Sequence, residues 1–185
     1  MAEILNRLRE ATKQLHSDIE KDNIANKVVD HSISLTEYKL LLFQNYMAYK
    51  AAEAEVEKFI PEYKASKTYQ LEQDLKGLGL LDINSTLDFH CQNKAEAIGA
   101  AYVIEGSAMG GMLIGKELKS CGSLNSIPNQ LFFTGERSSM QGWNSYLKYL
   151  RSCEFSEQEI TAASNKAKET FLLFKQAFGL ELSNS

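Results

Sequence analysis

Proline occurs only twice in this chain, at positions 61 and 128, and apolar residues return at intervals of three and four rather than two. A half-buried strand needs strict alternation, whereas an amphipathic helix needs this longer period, so the chain is read as all-α. At 185 residues it suits one compact domain, 1–185, with a sizeable core. Leu5, Leu8, Thr12, Leu15 and Ile19 line one face of a first helix that ends in the polar residues around Lys21 to Asn23. A linker holding His31 leads to SLTE, Ser34 to Glu37, a capping-box pattern that opens a long helix stopped by Pro61. A short helix follows from Tyr69 to Leu78, then a polar loop around Asn84 to Asn93, then an apolar helix from roughly Lys94 to Lys119. A loop over Gly122 to Gly135 precedes a helix through GWNSYLKYL, and a second capping box, Ser156 to Glu159, starts a last helix reaching about Phe178.

Charge and cysteine content narrow the function classes. The net charge is −4, and lysines and arginines are scattered among acids rather than gathered in one stripe, which argues against nucleic acid as a partner. The N-terminal segment carries charge on every turn and lacks the apolar core of a secretory signal. Cys91, Cys121 and Cys153 match no zinc or disulfide spacing and read as packing or surface thiols, which suits a cytoplasmic location. Glu96, Glu105, Lys116 and Glu117 interrupt the apolar segment, so no membrane insertion is expected.

That segment contains YVIEGSAMGGMLIG, Tyr102 to Gly115, with glycines at 106, 110, 111 and 115. Each glycine in a helix costs about 0.8–1 kcal/mol relative to alanine, so four cost about 3–4 kcal/mol. Either something must approach bare backbone, or neighbouring helices pack there too tightly for a side chain. The sequence has no E-x-x-H, G-x-S-x-G, Walker or C-x-x-C motif, and its histidines number three. His31 and His90 fall in polar segments and read as surface residues. His16 lies beside the apolar stripe of the first helix, with Glu20 one turn on and Arg9 two turns back, about 10 Å along the axis. One face thus offers an imidazole, a carboxylate to orient it and a distant cation, although a histidine beside such a stripe is often simply packed there.

The segment LREATKQLHSDIE resembles the proximal helix of heme oxygenases, in which the histidine of the LH pair ligates iron and the glutamate four residues later contacts it. The resemblance continues through YMAYKAAEAEVEKF, YVIEGSAMGGMLIGKEL, LFFTG followed by WNSY, and AKETFLLF, covering most of the chain in order. It implies a helical bundle with heme held between the first helix and a kinked, glycine-rich distal helix. It also implies His16 as iron ligand, Glu20 as its neighbour, and Arg9 as partner of a heme propionate, with Lys148 and Arg151 as candidates for the second. Tyr102, Phe171 and Phe178 fall among the heme-binding positions; Tyr46, Tyr49, Phe171 and Phe178 match aromatic positions near the pocket, and plain core packing is the competing reading for all four. Gly106, Ser107, Gly110 and Gly111 form the distal, catalytic cover. Animal-type members carry an aspartate where this chain has Ser107, and EGS resembles a bacterial, biliverdin-forming subgroup. The activity implied is oxidative opening of heme, at once cofactor and substrate, to biliverdin, CO and ferrous iron. O2 and electrons from a reductase or ferredoxin are required, since no flavin or nicotinamide motif is present. Two other readings stay open: a heme carrier or sensor on the same fold, and a non-heme relative such as a thiamin-degrading or di-iron enzyme.

Overall fold

A computed structural model describes residues 2–80 and 83–182, and they contain helices and no strand. The helices are α1 (Ala2–Lys21), α2 (Asn26–Val29), α3 (Leu35–Phe59), α4 (Lys67–Gly77), α5 (Lys94–Gly106), α6 (Ala108–Leu118), α7 (Gln141–Arg151) and α8 (Glu157–Ala177). Both capping boxes form: the hydroxyls of Ser34 and Ser156 accept from the amides of Glu37 and Glu159, whose carboxylates accept in return from the serine amides. Asn93 caps α5 by accepting from the amide of Glu96, whose carboxylate accepts from the amide of Gln92 rather than from its own cap residue.

α3 and α5 form the centre. Every residue from Leu41 to Tyr49 is buried, as is most of α5, because small alanines and Gly99 let its neighbours come close. α8 lies against α1, α3 and α5 together and so forms the wall they share. It comes so near α5 that a Cβ on Gly99 would stand 2.0 Å from the carbonyl oxygen of Ala163.

Three expectations change. The linker after the first helix contains the one-turn α2, whose Val28 is fully buried. The apolar helix is not one helix but two, broken at Ser107, where the serine hydroxyl bonds the carbonyl of Ile104 at 2.8 Å. A glycine followed by a serine that competes for backbone carbonyls is a recognised cause of such a kink. Taken as one run, Lys94–Leu118 is long and apolar enough to cross a membrane by length and composition, contrary to the expectation above. The reason is that Glu96, Lys116 and Glu117 fall near its ends, leaving Glu105 alone in the middle. Half of its most apolar window is buried inside the protein.

All three thiols are free. Burial pushes that of Cys91 up to about 12, as expected for a thiol that only packs.

Candidate functional site

His16 stands on α1 with its side chain 58% exposed, Nε2 3.5 Å from Oε1 of Glu20. The imidazole edge meets the ring of Phe171 on α8, with centroids 5.7 Å apart. Phe174 lies three residues further along α8, on the same side of that helix, and packs edge-on against Tyr49 of α3 at 5.0 Å and Phe178 at 5.9 Å. The hydroxyl of Tyr49 is 2.6 Å from Oγ of Ser107. Two sets of aromatic contacts thus lie along one side of α8: His16 on Phe171, and Phe178 through Phe174 to Tyr49, whose hydroxyl reaches the break between α5 and α6.

Hydrogen counting orients the polar end of that strip. Ser107 has one proton, and its Oγ already sits 2.8 Å from the carbonyl oxygen of Ile104, which makes Tyr49 the donor to Ser107. Burial holds the Tyr49 hydroxyl well above the usual phenol range, and the nearby carboxylates of Glu105 and Glu53 push in the same direction, against the Ser107 bond. Tyr49 thus keeps its proton and remains a donor.

Behind the break lies a buried ionic cluster. Glu53 accepts from the amides of Ser66, Lys67 and Thr68 and from the hydroxyl of Thr68, so it caps α4 from α3. Tyr63 places its hydroxyl 3.1 Å from Glu53 and 3.0 Å from Glu105, and Lys67 meets Oε1 of Glu105 at 2.6 Å.

The glycines divide by surroundings. A Cβ on Gly115 would lie 2.2 Å from the backbone nitrogen of Gly135 and 2.7 Å from the carbonyl oxygen of Phe133. At Gly110 a Cβ would meet no other element within 4 Å, at Gly106 only the Trp143 ring at 3.7 Å, and at Gly111 only the Phe133 ring at 4.0 Å. Gly106 and Gly110 are exposed and, being four apart, lie on one side of the distal segment. Met109 and Leu113 beside them are also exposed, 65% and 51%.

The remaining sequence candidates are dispersed. Arg9 is exposed on α1, and Lys148 and Arg151 are exposed on the second half of α7. Tyr102 is half-buried with its ring toward Trp143, at 6.0 Å, and Tyr46 is buried beneath the ammonium of Lys50. His31 pairs with Glu117 at 2.6 Å, and His90 with Asp88 at 2.9 Å. The sequence reading did not single out Phe132, whose ring packs on Tyr49 at 5.3 Å, or the cluster of Glu53, Tyr63, Lys67 and Glu105. The one available signal was that Tyr49 and Glu53 share a face of α3.

A heme oxygenase family model matches residues 2–88 and 82–179. Among solved structures, the heme oxygenase of Neisseria meningitidis, determined in NO- and CO-bound forms, is 22% identical over 98% of this chain and 94% of that one, with a TM-score of 0.70. At that identity the likeness is one of fold. No curated protein matches the sequence.

Proposed function

This chain belongs to the heme oxygenase family, and from that premise we propose that it opens heme to biliverdin, releasing CO and ferrous iron, with O2 and electrons from a separate reductase or ferredoxin. Heme binding and degradation are what the family model implies in general. The observation that carries the finer reading is the pair of aromatic contacts along one side of α8, His16 on Phe171 and Phe174 on a Tyr49 bonded to Ser107, together with a Gly110 whose side-chain space nothing fills.

The residues fit a flat, apolar group with a metal at its centre. His16 offers an exposed ring nitrogen, Phe171 an aromatic edge beside it, and Gly110 open space where any other residue would place a side chain. Heme, when bound, supplies the iron at which O2 is reduced and the carbon that is oxidised. His16 would hold that iron, and Glu20 would fix the imidazole's proton and orientation. Arg9, and Lys148 or Arg151, would fix the propionates and with them the ring's rotation, which selects the carbon attacked. Gly106, Gly110 and Gly111 would permit close approach on the distal side, while Tyr102, Phe171 and Phe178 would exclude water from the apolar edge.

Ser107 and Tyr49 supply the hydrogen bonding. The Ser107 proton goes to the Ile104 carbonyl and the Tyr49 proton to Ser107, so the remaining Ser107 lone pair would accept from a water over the site, and neither hydroxyl would act as a strong acid. His16 would offer the iron an imidazole rather than a thiolate, the weaker electron donor of the two.

Purified protein mixed with hemin and ascorbate in air tests the proposal. A Soret band that forms and then decays into the broad red absorption of biliverdin supports it. A Soret band that forms and persists favours the carrier or sensor, and no Soret band contradicts both.

A further inference from the structure

Glu105 immediately precedes the Gly106–Ser107 break, and its carboxylate is 5% exposed. One oxygen is fully used: Oε1 accepts from Nζ of Lys67, the first residue of α4, and lies 3.0 Å from the Tyr63 hydroxyl. The other, Oε2, is buried without a hydrogen-bond partner. A carboxylate oxygen removed from water in this way costs free energy, so stability alone does not explain its placement.

Its neighbour is the start of α7. A Cβ on Gly142, the second residue of that helix, would stand 1.9 Å from Oε2, and the N-cap residue Met140 offers no side-chain cap there. The carboxylate thus packs directly against the backbone at the start of α7, with no amide bonded to it. The next residue, Trp143, rests its ring 3.7 Å from where a Cβ of Gly106 would be. Glu105 therefore touches three things at once: the start of α4, the start of α7, and the break itself. Tyr146 fastens the same helix to α5 by donating to the carbonyl of Ile98 at 3.1 Å. Glu53 and Glu105 with Lys67 leave one negative charge in excess, close to the Tyr49 hydroxyl.

We propose that Glu105 is a positioning residue for the distal side: by drawing the first turn of α7 against Gly106 it fixes the break so that Ser107 meets Tyr49. The part of this that concerns turnover rests on the function proposed above. The part that concerns the α7 contact does not.

Trp143 is the only tryptophan in the chain, so its emission reports on this junction in protein without heme. Glu105→Gln keeps the shape and removes the charge, and Gly142→Ala keeps the charge but displaces the carboxylate. Both variants are expected to shift Trp143 emission to longer wavelength and make it more accessible to acrylamide. With heme added, each should bind it as the wild type does and turn it over roughly tenfold more slowly, since displacements of about 1 Å cost up to about 10²-fold. If Gly142→Ala does not fold, Glu105→Gln and Lys67→Met decide. Wild-type emission and quenching in a cooperatively melting Glu105→Gln protein overturn the inference, whatever the turnover. Altered emission with unchanged turnover overturns its catalytic part. If the wild type itself leaves heme intact, the proposed function fails while the emission still decides whether Glu105 holds α7.

Discussion

Gly115 and Gly110 sit five residues apart in one short helix and are there for opposite reasons. At Gly115 the space for a side chain is taken by the backbone of Phe133 and Gly135, and at Gly99 by that of Ala163. At Gly110 the space is empty. The first pair lets the protein pack on itself. The second position leaves a surface that the protein does not fill, and every glycine there lowers helix stability by about 1 kcal/mol without a packing gain in return.

Substitution separates the two kinds. The largest effect is expected at the filled sites: Gly99→Ala and Gly115→Ala should each destabilise the protein by about 3 kcal/mol, the upper part of the range for overpacking, because the obstacle is backbone and cannot rotate away. Denaturant midpoints of the two variants check this, and a neutral result removes the distinction. Gly110→Ala should instead stabilise the heme-free protein by up to about 1 kcal/mol. Its turnover should nonetheless fall, or its biliverdin isomers change, because the new methyl enters the space meant for the ring. A more stable Gly110→Ala protein with wild-type turnover and isomers would falsify the assignment of that space to heme.

The loop that fills the Gly115 side gives a smaller, pH-dependent test. Asp74 accepts from the amides of Leu131 at 2.8 Å and Phe132 at 2.9 Å, yet burial, the largest influence, holds its carboxyl above the ordinary value despite those two bonds. A carboxyl that binds its proton more tightly folded than unfolded adds stability that is present below the unfolded value and is lost as pH rises through the folded one. The stability advantage of wild type over Asp74→Asn should therefore narrow between pH 3 and pH 7. An advantage that widens over that window means the two amide bonds outweigh burial. The least perturbing change is Arg9→Glu, an exposed reversal expected to keep heme bound through His16 but alter the isomer ratio as one propionate is released. An unchanged ratio makes Arg9 an ordinary surface charge.

The proximal side was legible in the sequence because its information is periodic. Leu8 and Thr12 are buried on the stripe that predicted them, and His16 emerges beside it with Glu20 one turn on. Both capping boxes were legible for a similar reason, since each is a pattern confined to four residues. On the distal side the break follows a local glycine–serine pair, but the contact made there by Tyr49, 58 residues earlier, is set by the fold and could not be read from that pair. The choice between bare backbone and tight packing could not be made from glycine spacing, because Gly110 and Gly115 differ only in what another part of the chain brings to them. The buried cluster was hidden for the same reason: Glu53, Tyr63 and Lys67 lie within one stretch of sequence, but Glu105 joins them only through the fold.

The central claim is that His16 and the uncovered distal backbone form a heme site, and the absorption spectrum of the heme complex of His16→Ala tests it most directly. The account predicts a changed iron coordination spectrum and no biliverdin in His16→Ala, with the spectrum moved back toward wild type by added imidazole. His31→Ala and His90→Ala, whose rings pair with Glu117 and Asp88, should match wild type in both. A His16→Ala protein with the wild-type spectrum and wild-type turnover would contradict the account.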